Sequence, residues 1–180
     1  MAIVEVVRTY LEMRDPDHLR RVPLTAPGAV IEEVRSCPAS FHRYLYREVG
    51  RHYHWRDRLG WTDEQIRAYL EGGRISLFVL YVGGAPAGYF ELKNDEGSVE
   101  VAYFGLIPEF IGRGLGKMLL SAAVERAWLR QPTRVWLHTC TLDDPAALPN
   151  YLSRGLSPYK EERYTVEVQD PAPIASAHGG

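Results

Sequence analysis

Cysteine is scarce. The chain has two, Cys37 and Cys140, far apart and outside any CxxC spacing, so neither a disulfide framework nor a zinc ribbon organises it. No apolar run reaches membrane-spanning length, and Glu5, Arg8 and Glu12 interrupt the N-terminal stretch where a signal peptide needs a continuous apolar core. These absences predict a reduced, cytoplasmic setting and no membrane partner. An excess of one charge is also missing: 21 Lys and Arg stand against 23 Asp and Glu, a net charge of -2. The chain as a whole therefore has no pull toward nucleic acid or an anionic surface. His42, His52 and His54 lie near one another in sequence without a Cys or acidic partner alongside, so no metal is expected.

What is present fits one domain of ordinary size. The length is 180 residues, with 46% hydrophobic and 24% charged residues, enough for one hydrophobic core and too little for two comfortable ones. Residues 1–169 are expected to form that domain. The Pro, Ala and Gly-rich stretch 170–180 is expected to be a disordered tail.

Local patterns divide the chain. Ile3 to Val7 is rich in β-branched residues and reads as a first strand, with its reach toward Met13 open; Asp15-Pro16 breaks it. Ala29 to Val34 is a short strand or a continued loop. Phe41, Leu45, Val49 and Tyr53 recur four apart after Pro38, which predicts an amphipathic helix ending near Gly50. Thr62 with Gln65 three residues on forms a capping-box pattern for a second helix that stops at Gly72-Gly73. Arg74 to Val82 and Ala87 to Lys93, joined at Gly83-Gly84, read as a hairpin, and Ser98 to Leu106 as the next strand. A helix from Gly114 to Arg130 carries Leu115, Leu119, Ala122, Ala123 and Ala127 on one face. Then come a strand at Arg134 to Thr139, a short helix at Pro145 to Arg154 and a last strand at Tyr164 to Val168. Tight turns between strands imply a mixed, mostly antiparallel sheet of six to seven strands flanked by helices, an α/β fold.

Between one strand and the long helix lie Gly112, Gly114 and Gly116. Backbone free of Cβ at a helix N-terminus lets several N–H groups converge on an anion, and a diphosphate fits such a nest. The spacing is GxGxG rather than the dinucleotide GxGxxG, and Gly116-Lys117 lacks the remainder of a P-loop.

Read with its neighbours, Leu106-Ile107-Pro108-Glu109-Phe110-Ile111-Gly112-Arg113-Gly114-Leu115-Gly116 resembles the acetyl-CoA-binding signature of the GNAT superfamily of N-acetyltransferases. A second family signature, a strand followed by a helix with Tyr and then Gly four residues later, matches Arg134 to Thr139 and Tyr151 to Gly155. The chain departs from the family where Ile111 replaces Gln or Arg, Asp144 replaces Asn, and Leu156 replaces an aromatic residue.

The resemblance implies an acyl-CoA-dependent N-acetyltransferase acting by direct transfer in a ternary complex, without a metal. It implies that the main chain of Phe104, Gly105 and Leu106 pairs with the pantetheine arm, with the Leu106 N–H at the oxyanion. The amides of Gly112, Arg113, Gly114, Leu115, Gly116 and Lys117 would take the pyrophosphate, and the Arg113 and Lys117 side chains would add charge. Asp144 would stand beside the pantetheine; by its own chemistry it reads as a helix N-cap with Pro145 at the first helical position.

Glu100 matches the position of the catalytic glutamate in the histone-modifying branch of the family and Tyr151 that of the family's general acid; Glu91 and His138 are weaker alternatives for the base. The aromatic and arginine-rich stretch Phe41 to Trp61 would form the acceptor wall, with Tyr46, Arg47, His54 and Trp55 around a small amine bearing an anionic group. A protein lysine or N-terminal acetyltransferase and a non-catalytic CoA-binding sensor are the rival readings, and a homodimer is compatible with the sequence.

Overall fold

The computed structural model describes residues 2–53 and 55–168. The expected tail and His54 fall outside the described residues. Seven strands form one sheet: β1 (Ala2–Met13), β2 (Ala29–Glu33), β3 (Ile75–Val82), β4 (Ala85–Asp95), β5 (Ser98–Leu106), β6 (Arg134–Cys140) and β7 (Ser157–Val168). Four helices flank it: α1 (Ala39–Gly50), α2 (Asp63–Glu71), α3 (Leu115–Trp128) and α4 (Ala147–Ser153). The strand order is β2-β3-β4-β5-β6-β1-β7, and β5–β6 is its parallel pair.

Local chemistry explains most boundaries. At the start of α2 the Gln65 amide donates to Thr62 Oγ1 at 3.2 Å while the Thr62 amide donates to Gln65 Oε1 at 2.8 Å, so two orphan donors are satisfied together. The helix α4 begins at Ala147, two residues later than the sequence pattern placed it. Pro149 is the reason: it has no N–H to give the carbonyl of Pro145, and only a later start leaves it in the first turn. Asp144 is therefore not the N-cap. Its carboxylate instead accepts from the Ala146 amide at 2.8 Å in the preceding turn. The strand β1 runs on to Met13, and β7 begins seven residues earlier than Tyr164. Each pairs with the other along its length.

The position of β1 is set by tertiary contacts. It inserts between β6 and β7, antiparallel to both, so the N-terminal strand closes the half of the sheet that the last strand borders. Gly155 makes the crossing from α4 to β7 possible: its φ is 102°, and a Cβ there would stand 2.1 Å from the His18 carbonyl oxygen.

Two cores sandwich the sheet. On one face α3 lays Leu115, Leu119, Leu120, Ala123, Val124 and Ala127 over Leu11, Phe90, Leu92, Val99, Val101 and Leu137, each buried Leu contributing about 1.5–3 kcal/mol. On the other, Leu45 and Val49 of α1 pack on Leu77, Val79 and Tyr89.

A bulge in β5 decides what faces the second core. Glu91 pairs with Tyr103, but the next pair is Leu92 with Val101, so Ala102 is an extra residue. Val99 and Val101 before it, and Phe104 and Leu106 after it, all turn to the α3 face. The bulge thereby brings Glu100 and Tyr103 onto the opposite face together.

Candidate active site

β5 and β6 pair through Ser98 with Arg134, Val99 with Val135 and Glu100 with Trp136. Both strands continue, to Leu106 and Cys140, but their register ends there. The Ile107 amide donates to the Ala87 carbonyl on β4 at 2.8 Å. Strand alternation then turns the N–H and C=O groups of Leu106 and Phe104 toward the open side. An extended molecule carrying amide groups can pair along that edge as an added strand.

The chain leaves β5 through buried Ile107 and a 3₁₀ turn at Pro108–Phe110. Gly112 and Gly114 follow with φ of 83° and 75°, a region that costs an L side chain about 1–2 kcal/mol. Gly114 is the N-cap of α3 and no side chain caps the helix, so the first-turn amides lack helical partners and point outward.

Gly116 differs from both. A Cβ there would meet nothing nearer than Leu106 Cδ1 at 3.8 Å and Asn150 Nδ2 at 3.9 Å. Packing within the fold therefore leaves room for a methyl group at Gly116. Arg113 is turned back onto the loop, donating to the Glu109 carbonyl at 3.0 Å and stacking over Phe110 at 5.0 Å. Lys117 lines the opening; Arg113 does not.

One cavity of about 930 Å³ joins the strand edge, the glycine loop and the acceptor side. Phe104, Gly105, Leu106, Gly112, Gly114, Leu115, Gly116, Lys117, Asp144, Tyr151, Glu100, Tyr46 and Trp55 all line it. Arg47 does not, because it stands exposed on the outer face of α1. Gly105 lets α1 press on β5, since a Cβ there would lie 2.5 Å from Val49 Cγ1.

Tyr151 is 6% exposed and packs edge-on to Phe104 with ring centroids 6.1 Å apart. Burial raises its phenol well above the ordinary range, with Asp143 and Asp144 adding to the effect, so the hydroxyl stays protonated and can only donate or share its proton. Asp144 accepts from the Tyr53 hydroxyl at 2.6 Å. That bond ties the segment after α1 to the turn before α4 across the mouth of the cavity.

At the other end, the Glu100 side chain is 14% exposed and its Oε1 lies 4.0 Å from His138 Nε2. Burial raises the Glu100 carboxyl, against a lowering by Lys93 directly opposite on β4. Burial together with the charge of Arg8 lowers His138, which favours its neutral form.

Glu91 has the opposite character. It is fully buried; Oε1 accepts from Arg58 Nη1 at 2.9 Å and faces His42 Nε2 at 2.9 Å, while Oε2 accepts from the Tyr69 hydroxyl at 2.7 Å. Burial alone would raise its carboxyl, but these partners hold it below the ordinary value. A carboxylate so occupied is a structural anchor and cannot reach a substrate amine, which removes Glu91 as a base.

Arg58 escaped the sequence reading. It sits between Trp55 and Trp61 in the stretch that drew attention for its aromatics, yet no spacing marks it as inward-facing. The fold buries it to 7% exposure and stacks its guanidinium 4.0 Å from the ring centroids of both Tyr69 and Tyr103.

The chain matches the model of the Acetyltransferase (GNAT) family over residues 33–156. No curated protein matches its sequence. Among solved structures, the GCN5-related N-acetyltransferase from Kribbella flavida superposes with a TM-score of 0.63 at 19% identity, over 91% of this chain and 58% of that one. A tandem GNAT protein from the clavulanic acid biosynthesis pathway gives 0.59 at 17% identity, over 94% and 56%. The ribosomal-protein-S18-alanine N-acetyltransferase from Escherichia coli gives 0.55 at 17%, over 71% and 76%. The chain thus spans little more than half the length of the first two. At these identities the likeness is one of fold.

Proposed function

Since the chain belongs to the GNAT acetyltransferase family, we propose that it moves the acetyl group of acetyl-CoA to a small primary amine by direct transfer in a ternary complex. One observation carries this reading: a parted pair of parallel strands, a glycine-started helix, a half-buried carboxyl and a buried phenol all open into a single cavity.

In this reading the amides from Gly112 to Lys117 hold the diphosphate, and the backbone of Phe104 and Leu106 pairs with the pantetheine arm. Asp144 can accept from a pantetheine amide while it holds Tyr53, because each carboxylate oxygen has more than one lone pair. Bound there, acetyl-CoA supplies an acyl group already activated as a thioester.

The residues do the rest. An amine with an ammonium pKa near ~10 is only about 0.1% neutral at pH 7, a penalty of roughly 4 kcal/mol. Glu100 removes that proton, directly or through water, and its raised carboxyl brings base strength closer to the working pH. The Leu106 N–H faces the position where the carbonyl oxygen gains charge. The Tyr151 hydroxyl donates a hydrogen bond to the departing sulfur. Its raised pKa makes it a stabiliser of the thiolate more than a complete proton donor. The second proton, shed by the attacking nitrogen as it becomes an amide, therefore passes through water to the sulfur, which leaves as CoA thiol. Cys140 lines the cavity, but burial raises its thiol, which leaves little thiolate to act as an acyl carrier.

The test is release of CoA thiol from acetyl-CoA against a panel of amino acids, polyamines, aminoglycosides and peptides. Turnover with at least one small amine is expected, and Tyr151→Phe should lower kcat about 10- to 100-fold while leaving CoA affinity nearly unchanged. Tight CoA binding with no turnover anywhere in the panel would favour a CoA-sensing module instead.

A further inference from the structure

We propose that Arg58 binds a carboxylate on the acceptor, so that the amine acetylated here belongs to an amino acid. This rests on the acetyl-transfer reading above and adds the substrate class to it.

The guanidinium is engaged at one end only. Glu91 Oε1 and Oε2 lie 2.9 and 3.1 Å from the same nitrogen, Arg58 Nη1, and His42 Nε2 is 3.2 Å from it. A carboxylate meant only to neutralise an arginine would take two nitrogens side by side, the fork geometry that gives the stronger pair. Here Glu91 meets one end alone.

A guanidinium has five N–H donors, of which Nη1 carries two. Nε and Nη2 carry the other three, and neither makes a hydrogen bond among the described residues. Neither is counted with the fully enclosed unsatisfied atoms, so both keep contact with the cavity that Arg58 lines. With its side chain 6% exposed, Arg58 thus sets these donors in the cavity wall.

That plane is fixed before any ligand arrives. Tyr69 and Tyr103 stack on its two faces at 4.0 Å, Trp61 closes one side at 4.9 Å, and the Arg58 amide donates to the Tyr46 hydroxyl at 3.3 Å. Glu91 is saturated and cannot rotate to claim the remaining donors. Holding the group rigid removes the ordering cost that a surface arginine would meet on binding.

The shape of the free edge selects the ligand. Two N–H groups lying parallel in a plane match the two oxygens of a carboxylate. Glu100 lies on the same face of β5 as Tyr103, whose ring stacks on Arg58, and Glu100, Tyr103 and Arg58 line the same cavity. The base and the anion anchor are therefore neighbours. One small molecule with an amine and a carboxylate a few bonds apart can meet both. Lys93 and Arg56 line the same cavity and favour an anion, with Asp57 and Glu100 opposing them.

The experiment compares the twenty common amino acids with their decarboxylated amines as acceptors for the whole chain saturated with acetyl-CoA, read by CoA thiol release. At least one acid should exceed its matched amine about 100-fold or more in kcat/KM, as a site with charged donors left unpaired rejects the analogue. Arg58→Lys keeps a cation for Glu91 but loses the planar edge. It should raise KM for that acid about 30-fold or more with kcat little changed, and cost the matched amine far less, so that the preference for the acid collapses.

A wild-type protein that treats each acid and its amine alike overturns the proposal, whether or not the lysine protein folds. So does an Arg58→Lys protein that loses acid and amine equally, or acetylation of peptide amines alone. A protein that binds acetyl-CoA in a calorimeter yet acetylates none of the acids rejects the carboxylate anchor. One that does not bind acetyl-CoA at all fails earlier, at the acetyl-transfer reading.

Discussion

Glu91→Ala is expected to cost the fold about 3–5 kcal/mol, the usual result of removing one partner from a buried ion pair. The loss has two sources. Arg58 stays buried with its positive charge uncompensated, and the Tyr69 hydroxyl and His42 lose their acceptor. Urea unfolding should show a lower midpoint with a similar slope.

The wild type carries a pH signature of the same network. The Glu91 carboxyl is held below its ordinary value of 4.5 in the folded protein, so its contribution is complete above the unfolded value and fades as the pH falls through the lower folded one. Glu91→Gln should remove that part of the acid sensitivity. An alanine protein as stable as the wild type would mean that the pair is solvated and holds nothing together. Because Arg58 belongs to the loop between α1 and α2, and Glu91 to β4, the network also pins the acceptor wall to the sheet.

Glu100→Gln should lower kcat about 100- to 10,000-fold near neutral pH, the range for loss of a general base. The pH profile separates chemistry from mere structure. In the wild type the rising limb of kcat/KM should begin above the ordinary carboxylate range, because burial raises the Glu100 carboxyl and only the ionised form accepts a proton. The glutamine protein should lose that limb, and its deficit should shrink toward pH 10 as more of the acceptor becomes neutral without help. A deficit constant across pH would assign Glu100 to packing. His138, 4.0 Å away and favoured in its neutral form, would then be the base to examine.

The sequence is most readable where structure is local. Thr62 and Gln65 form the capping box they spell, the Gly83-Gly84 turn joins β3 to β4, and Gly112 and Gly114, which stand before a helix, take positive φ. The tight turns between strands pointed to the mixed, mostly antiparallel sheet, which the seven strands bear out.

Legibility fails where distant residues decide. Nothing near β1 says that it will lie between β6 and β7, because both partners are more than a hundred residues away. The bulge at Ala102 depends on how β5 meets β4, and no local signal distinguishes it from regular strand. Pro149 was visible, but its effect on where α4 begins follows only from counting which carbonyl would lose its donor. Within the site, the glycine loop and Tyr151 could be read from motifs. Arg58 could not, since an arginine beside Asp57 and two tryptophans has the composition of a solvated loop. Its burial depends on Glu91, thirty-three residues on.

The central claim is that backbone amides where β5 gives way to α3 seat a diphosphate. Calorimetric titration with CoA and with pantetheine, which lacks the diphosphate and nucleotide, tests it most directly. CoA should bind with pantetheine at least about 100-fold weaker, since several charge-assisted hydrogen bonds vanish with the diphosphate. Equal affinities for the two, or no heat with CoA at any concentration tried, would contradict it.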